Sequence, residues 1–221
     1  MTATKSAFQK TAARVAKAER WQNQREGITL LLGIVALMWL VEGVNALDGY
    51  GLSYDGIYPR NLSRIWGIFT APFIHANFAP HLLDNTIPFV FMGVIIALRG
   101  ARRLAAVTGI VIVLGGLGTW LVAPSGDIIG ASGVVFGYAT YLLTRGFFDR
   151  SVLELLTGLI VGVIWGGALL GSAVPQGGQI SWQGHIMGGV AGVVAAWVMA
   201  SQDSRRGETK RQRTAVPAST Q

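Results

Sequence analysis

The stretch FAPHLLDNTIPFVFMGVIIALRGARR, residues 78–103, orients the rest of the chain. Its middle is an apolar run of the length, about 20 residues, that crosses a bilayer as a helix. Arg99, Arg102 and Arg103 flank one end, and His81 and Asn85 occupy the first two turns at the other. Lys and Arg accumulate on the cytoplasmic side of membrane helices. The arginines therefore place the His81–Asn85 end toward the external face. Working outward from this span at 78–98, five further apolar runs occupy 28–46, 104–123, 132–143, 152–170 and 184–200. The expected fold is an all-α membrane protein, a bundle of six transmembrane helices. The run at 132–143 is short for a lipid-facing helix and suits a central helix ringed by the others.

Composition agrees. Of the 221 residues, 51% are hydrophobic and 13% charged, against about 25% charged in a soluble domain. The net charge of +7 needs no nucleic acid to explain it, and none is expected as a partner. Of the 18 basic residues, 16 precede the first span, lie between spans two and three or four and five, or follow the sixth; only Arg60 and Arg64 fall elsewhere. Six crossings with both termini in the cytoplasm put those 16 on one side. The first run follows 27 residues, a stretch too long and too charged for the n-region of a signal peptide, and no small-residue cleavage site comes after it, so it reads as a retained helix. With no Cys in the chain, disulfide and thiol chemistry are excluded.

Three segments follow. Residues 1–27 are basic, with Phe8, Val15, Ala18 and Trp21 at near-helical spacing. They suit either a cytoplasmic surface helix or a solvated tail. Residues 28–200 form the membrane domain. Residues 201–221 are polar and read as a disordered tail. The first external loop, 47–66, carries Tyr50, Tyr54, Tyr58, Pro59 and Trp66, types that favour the membrane interface. The loops at 124–131 and 172–183 are rich in Gly, Pro and Ser and read as mobile. Glycines recur every four residues at 158, 162 and 166, at 184, 188 and 192, and at 133 and 137. Small residues at that spacing let helix backbones approach closely.

Polar groups inside a membrane are costly and usually functional. Spans two, four and six all begin at the external face. His81 and Asn85 start the second, Ser132 the fourth and His185 the sixth, so four polar side chains from three segments share one depth. A serine hydroxyl needs a base, and a neutral His is the usual one. A developing oxyanion needs donors, which Asn, His or backbone N–H groups supply. Gly130 and Gly133 permit an unusual turn beside Ser132, and the start of a helix offers unpaired N–H groups. Taken singly, Ser132 and its glycines read as packing, each histidine as an interfacial residue, and His81–Asn85 as a clasp. Taken jointly, they read as a catalytic site. The H-E-x-x-H helix of zinc proteases is missing and no carboxylate adjoins His185, so no metal or other cofactor is expected. An aspartyl protease needs two carboxylates deep in facing spans. Only Asp84 reads as clearly internal, and Glu154 as interfacial.

These residues resemble the rhomboid family of intramembrane serine proteases, in its bacterial six-span form. Gly130-Ala131-Ser132-Gly133 with Gly137 is similar to that family's G-x-S-G-x-x-x-G. Gly184-His185-Ile186-Met187-Gly188 is similar to A-H-x-x-G, and His81-Leu82-Leu83-Asp84-Asn85 to H-x-x-x-N. The resemblance covers about residues 28–200. It implies a Ser132 nucleophile and a His185 base with no third carboxylate. Oxyanion support would come from His81, Asn85 and the turn at Gly130. Gly133, Phe136, Gly137 and Gly188 would pack around the site, Phe136 standing where many relatives have Tyr. It also implies single-span membrane proteins as substrates and the inner membrane of a bacterium as location. Five residues separate His75 from His81 where the family commonly has four, and Gly67 follows Trp66 where many relatives have Arg. Two other readings keep the same residues: a client-binding relative without proteolysis, and a small transporter.

Overall fold

Six long helices carry the architecture of this computed structural model, which describes residues 2–175 and 180–215, with side chains from 11 to 175 and 180 to 205. They are α1 (Thr2–Leu47), α2 (Phe78–Ala97), α3 (Ala101–Val122), α4 (Ser132–Asp149), α5 (Val152–Ser172) and α6 (Trp182–Ala215). Five of them are long and apolar enough to cross a membrane; α4 is the exception. Its 18 residues include Thr140, Thr144, Arg145 and Asp149, which lower its hydropathy below that of its neighbours. Those polar groups are tolerated because α4 is enclosed, packing against α2, α3, α5 and α6. Tyr138 and Tyr141 are almost fully buried, and the Tyr138 hydroxyl meets Thr108 Oγ1 of α3 at 2.5 Å.

The seam between α4 and α6 is made by glycine. A Cβ on Gly188 would stand 2.1 Å from the Gly133 carbonyl oxygen, and one on Gly192 2.0 Å from that of Gly137. No side chain fits there, so the backbones lie in direct contact. Thr140 Oγ1 crosses the seam to the Gly189 carbonyl at 2.7 Å. A core of Leu31, Met38, Phe89, Met92, Ile96, Leu104, Tyr138 and Leu142 joins α1, α2 and α3 to α4. Helix α5 touches chiefly α4, and leaves Leu156, Leu159, Ile160, Val163 and Ile164 exposed, as a lipid-facing helix does.

Several expected boundaries move. Helix α1 is continuous over 46 residues, roughly 70 Å, more than twice the bilayer's apolar thickness. The basic residues from 2 to 27 thus extend the first span instead of forming a separate element. Helix α4 does not stop where its apolar run ends at 143. It continues to Asp149 and closes at Arg150, whose left-handed conformation caps it (φ 50°). Helix α6 runs on to Ala215, through residues whose composition reads as a disordered tail. The 124–131 loop, read as mobile, is pinned: Ile57 and Ile128 form an antiparallel bridge, Arg64 pairs with Asp127, and Gly130 N–H donates to the Ala71 carbonyl at 2.9 Å. The 47–66 loop lies against the same end of the bundle, with Arg60 on the Ala123 carbonyl at 2.6 Å. In the 172–183 loop, residues 176–179 lie outside the described residues.

The opposite end of the bundle is ionic. Arg145, buried, meets Asp149 at 2.7 Å, Asp203 at 3.5 Å and Glu154 at 3.8 Å. Arg99 pairs with Glu154, and Arg103 with Asp203 at 2.6 Å. Glu154, in the first turn of α5, is therefore buried and paired.

Candidate active site

Helix α4 starts at Ser132 because Gly130 turns the chain at φ +108°, a conformation that side chains other than glycine's resist. The Ser132 side chain emerges half-buried at the first turn. The glycine seam draws α6 against this turn, and His185 Nε2 comes to 2.9 Å from Ser132 Oγ. His185 is buried and held on two sides. Its Nδ1 lies 2.7 Å from the Ser172 carbonyl at the end of α5. Its ring stacks on Phe136, centroids 4.3 Å apart and planes within 7°. A carbonyl only accepts, so Nδ1 carries the proton and Nε2 is left to accept from the serine hydroxyl. This arrangement can deprotonate Ser132, with a backbone carbonyl orienting the imidazole.

Asn85 reaches the same place from α2. A Cβ on Gly130 would lie 3.8 Å from Asn85 Nδ2 and 4.0 Å from Ser132 Oγ, so amide and hydroxyl flank one point. Asn85 Nδ2 also donates to the His81 carbonyl at 2.9 Å, leaving its second N–H available. His81 behaves differently. Its imidazole is exposed and its Nδ1 lies 3.0 Å from Asn77 Oδ1, which also caps the His81 N–H at 3.1 Å. It joins the site through Asn85 rather than through a contact of its ring with Ser132. Gly133, Gly137 and Gly188 lie in the seam. Asp84 is exposed on the surface of α2, whereas Glu42 of α1 is a fully buried carboxylate. Among the described residues, no three His, Asp or Glu side chains assemble as metal ligands.

A model of the Rhomboid domain matches residues 62–202. The chain belongs to the rhomboid family. The match takes in His81, Asn85, Ser132 and His185 and leaves out α1. With its apolar helices, this rhomboid is an integral membrane protein. It is similar to an uncharacterized protein of Mycobacterium tuberculosis, 41% identical over 203 residues, which are 88% of this chain and 83% of the relative. It is also similar to one of Mycobacterium leprae, 38% identical over 199 residues, 86% of this chain and 78% of that one.

Three features of the rhomboid's site escape sequence reasoning. The Ser172 carbonyl is backbone and has no residue signature. Asn77 is visible only as a helix-capping type four residues before His81. Glu42 carried the clearest signal, since it is the one acid inside the first apolar run and a carboxylate there is a functional pointer.

Proposed function

We propose that this rhomboid is an intramembrane serine protease that cleaves single-span membrane proteins near the external face of a bacterial inner membrane. The observation that carries the reading is the 2.9 Å approach of Ser132 Oγ to His185 Nε2, with Nδ1 engaged by the Ser172 carbonyl. Ser132 Oγ attacks the scissile carbonyl carbon as His185 Nε2 takes the hydroxyl proton. The oxyanion is met by the second N–H of Asn85 and by the Ser132 N–H at the very start of α4, ahead of the first bonds of that helix, in which Val134 and Val135 N–H donate to the Ala131 carbonyl. His185 then gives its proton to the leaving amine, and the C–N bond breaks to leave an ester on Ser132. Water, deprotonated by His185, hydrolyses that ester and returns the serine.

Six crossings with both termini in the cytoplasm set the site toward the external face, where water reaches the half-buried Ser132. A substrate helix must unwind to expose a peptide bond, so small and helix-breaking residues at the cleavage point are favoured. In purified protein with a model transmembrane substrate, Ser132→Ala and His185→Ala are expected to lower cleavage by about 10³-fold or more. Equal cleavage by wild type and both variants sinks the proposal. Binding of the substrate without cleavage by any of the three supports a client-binding protein instead.

A further inference from the structure

Glu42 and Asn45 of α1 and His75 of the segment before α2 are buried together, each at most 1% exposed. Glu42 Oε2 accepts from the His75 N–H at 3.2 Å and from Asn45 Nδ2 at 3.3 Å. Asn45 Nδ2 also donates to the His75 carbonyl at 3.0 Å. Both backbone polar groups of His75 are thus gripped by one turn of α1. Two branches leave from this fixed peptide. In the first, His75 Nε2 accepts the Ala131 N–H at 3.2 Å, while the Ala71 carbonyl holds the Gly130 N–H. Both peptide groups immediately before Ser132 therefore hang from the 71–75 segment. In the second, the chain passes from His75 to Asn77, which caps His81, whose carbonyl holds the Asn85 amide.

This arrangement is costly for stability alone. A buried carboxylate in an apolar helix is expensive, and Glu42 Oε1 and Asn45 Oδ1 are buried with no hydrogen-bond partner, a further penalty. Apolar residues at both positions would make α1 a better membrane helix. What the polar pair adds is a fixed distance between two walls of the site. Oxyanion donors act only when set within about 2.7–3.1 Å of the developing charge.

We propose that Glu42 and Asn45 are positioning residues. Acting through His75, they hold the Gly130–Ala131 turn and the Asn85 amide in register to receive the oxyanion. The catalytic part rests on the protease reading; the mechanical part does not. Both are read on full-length protein in detergent. In Glu42→Ala, hydrogen exchange over residues 129–134 is expected to accelerate about tenfold or more, while the second half of α4 and α6 keep their protection. Glu42→Gln, which keeps an acceptor for the His75 N–H, is expected to restore it. On a model transmembrane substrate, Glu42→Ala is expected to lose about 10–100-fold in kcat with KM changed less than about twofold. Glu42→Gln recovers to within about threefold, and combining Glu42→Ala with Asn85→Ala costs less than the product of the two single losses. Unchanged exchange at 129–134, loosening spread evenly over the bundle, or a Gln variant no better than Ala overturns the proposal. So do multiplicative losses in the double variant. Failure of the protease reading shows separately, as equal cleavage by wild type and Ser132→Ala, and leaves the exchange test decisive.

Discussion

His75 shows how a single residue here departs from its sequence-level expectation. Its spacing to His81 deprived it of a role by resemblance, yet it is the histidine whose ring supports the backbone before Ser132. Burial pushes its pKa down from the ordinary 6.5 to about 4, with the Phe73 carbonyl pulling the other way and His81 adding to the lowering. The folded protein therefore keeps His75 neutral where an unfolded chain would protonate it. The stability it contributes is complete above pH 6.5 and is lost as pH falls through 6.5 toward 4, by about 3 kcal/mol in all. Thermal unfolding of wild type against His75→Gln across that window checks this: the wild type should lose stability more steeply on acidification, and parallel curves would refute it. Ser132, His185 and Asn85 were legible because chemistry constrains side-chain type. The Ser172 carbonyl was not, because any residue at that position presents the same atom.

At the scale of elements, the apolar runs marked where the six long helices lie but not which glycines matter. The row at 158, 162 and 166 looks the same in sequence as the row at 184, 188 and 192. In the structure a Cβ on Gly188 meets backbone oxygen at 2.1 Å, whereas one on Gly166 meets nothing within 4 Å. Gly188→Ala is therefore expected to force α4 and α6 apart, cost about 1–3 kcal/mol and slow substrate cleavage by moving His185 from Ser132. Gly166→Ala is expected to be neutral or to stabilise α5 by up to about 1 kcal/mol through helix propensity. Unfolding measurements on the two variants decide it, and equal effects would contradict the seam. The length of α4 was misjudged for a related reason. Hydropathy measures a preference for lipid, and a helix enclosed by four others does not face lipid, so its polar second half stays helical.

Across the whole molecule the two ends have separate tasks. The end bearing Ser132 gathers His185, Asn85 and the Gly130 turn; the far end holds the Arg145 cluster that ties α4, α5 and α6. Removing one partner from a buried ionic group leaves charge uncompensated, so Arg145→Ala is expected to cost about 3–5 kcal/mol in an unfolding titration. At a temperature where the variant stays folded, substrate cleavage should be unchanged, because the cluster touches nothing at the site; a drop in kcat there would show that the ends are coupled. The partners of the arginines were not legible in the sequence, because Arg145 and Arg103 pair with Asp203 and Arg99 with Glu154, residues on helices distant along the chain. The measurement that bears most directly on the central claim is mass spectrometry of the protein after exposure to a fluorophosphonate, which reacts with an activated serine. The expected result is one adduct on the peptide containing Ser132, absent in Ser132→Ala and strongly reduced in His185→Ala. No adduct on folded wild type, or equal labelling of the His185→Ala variant, would contradict it.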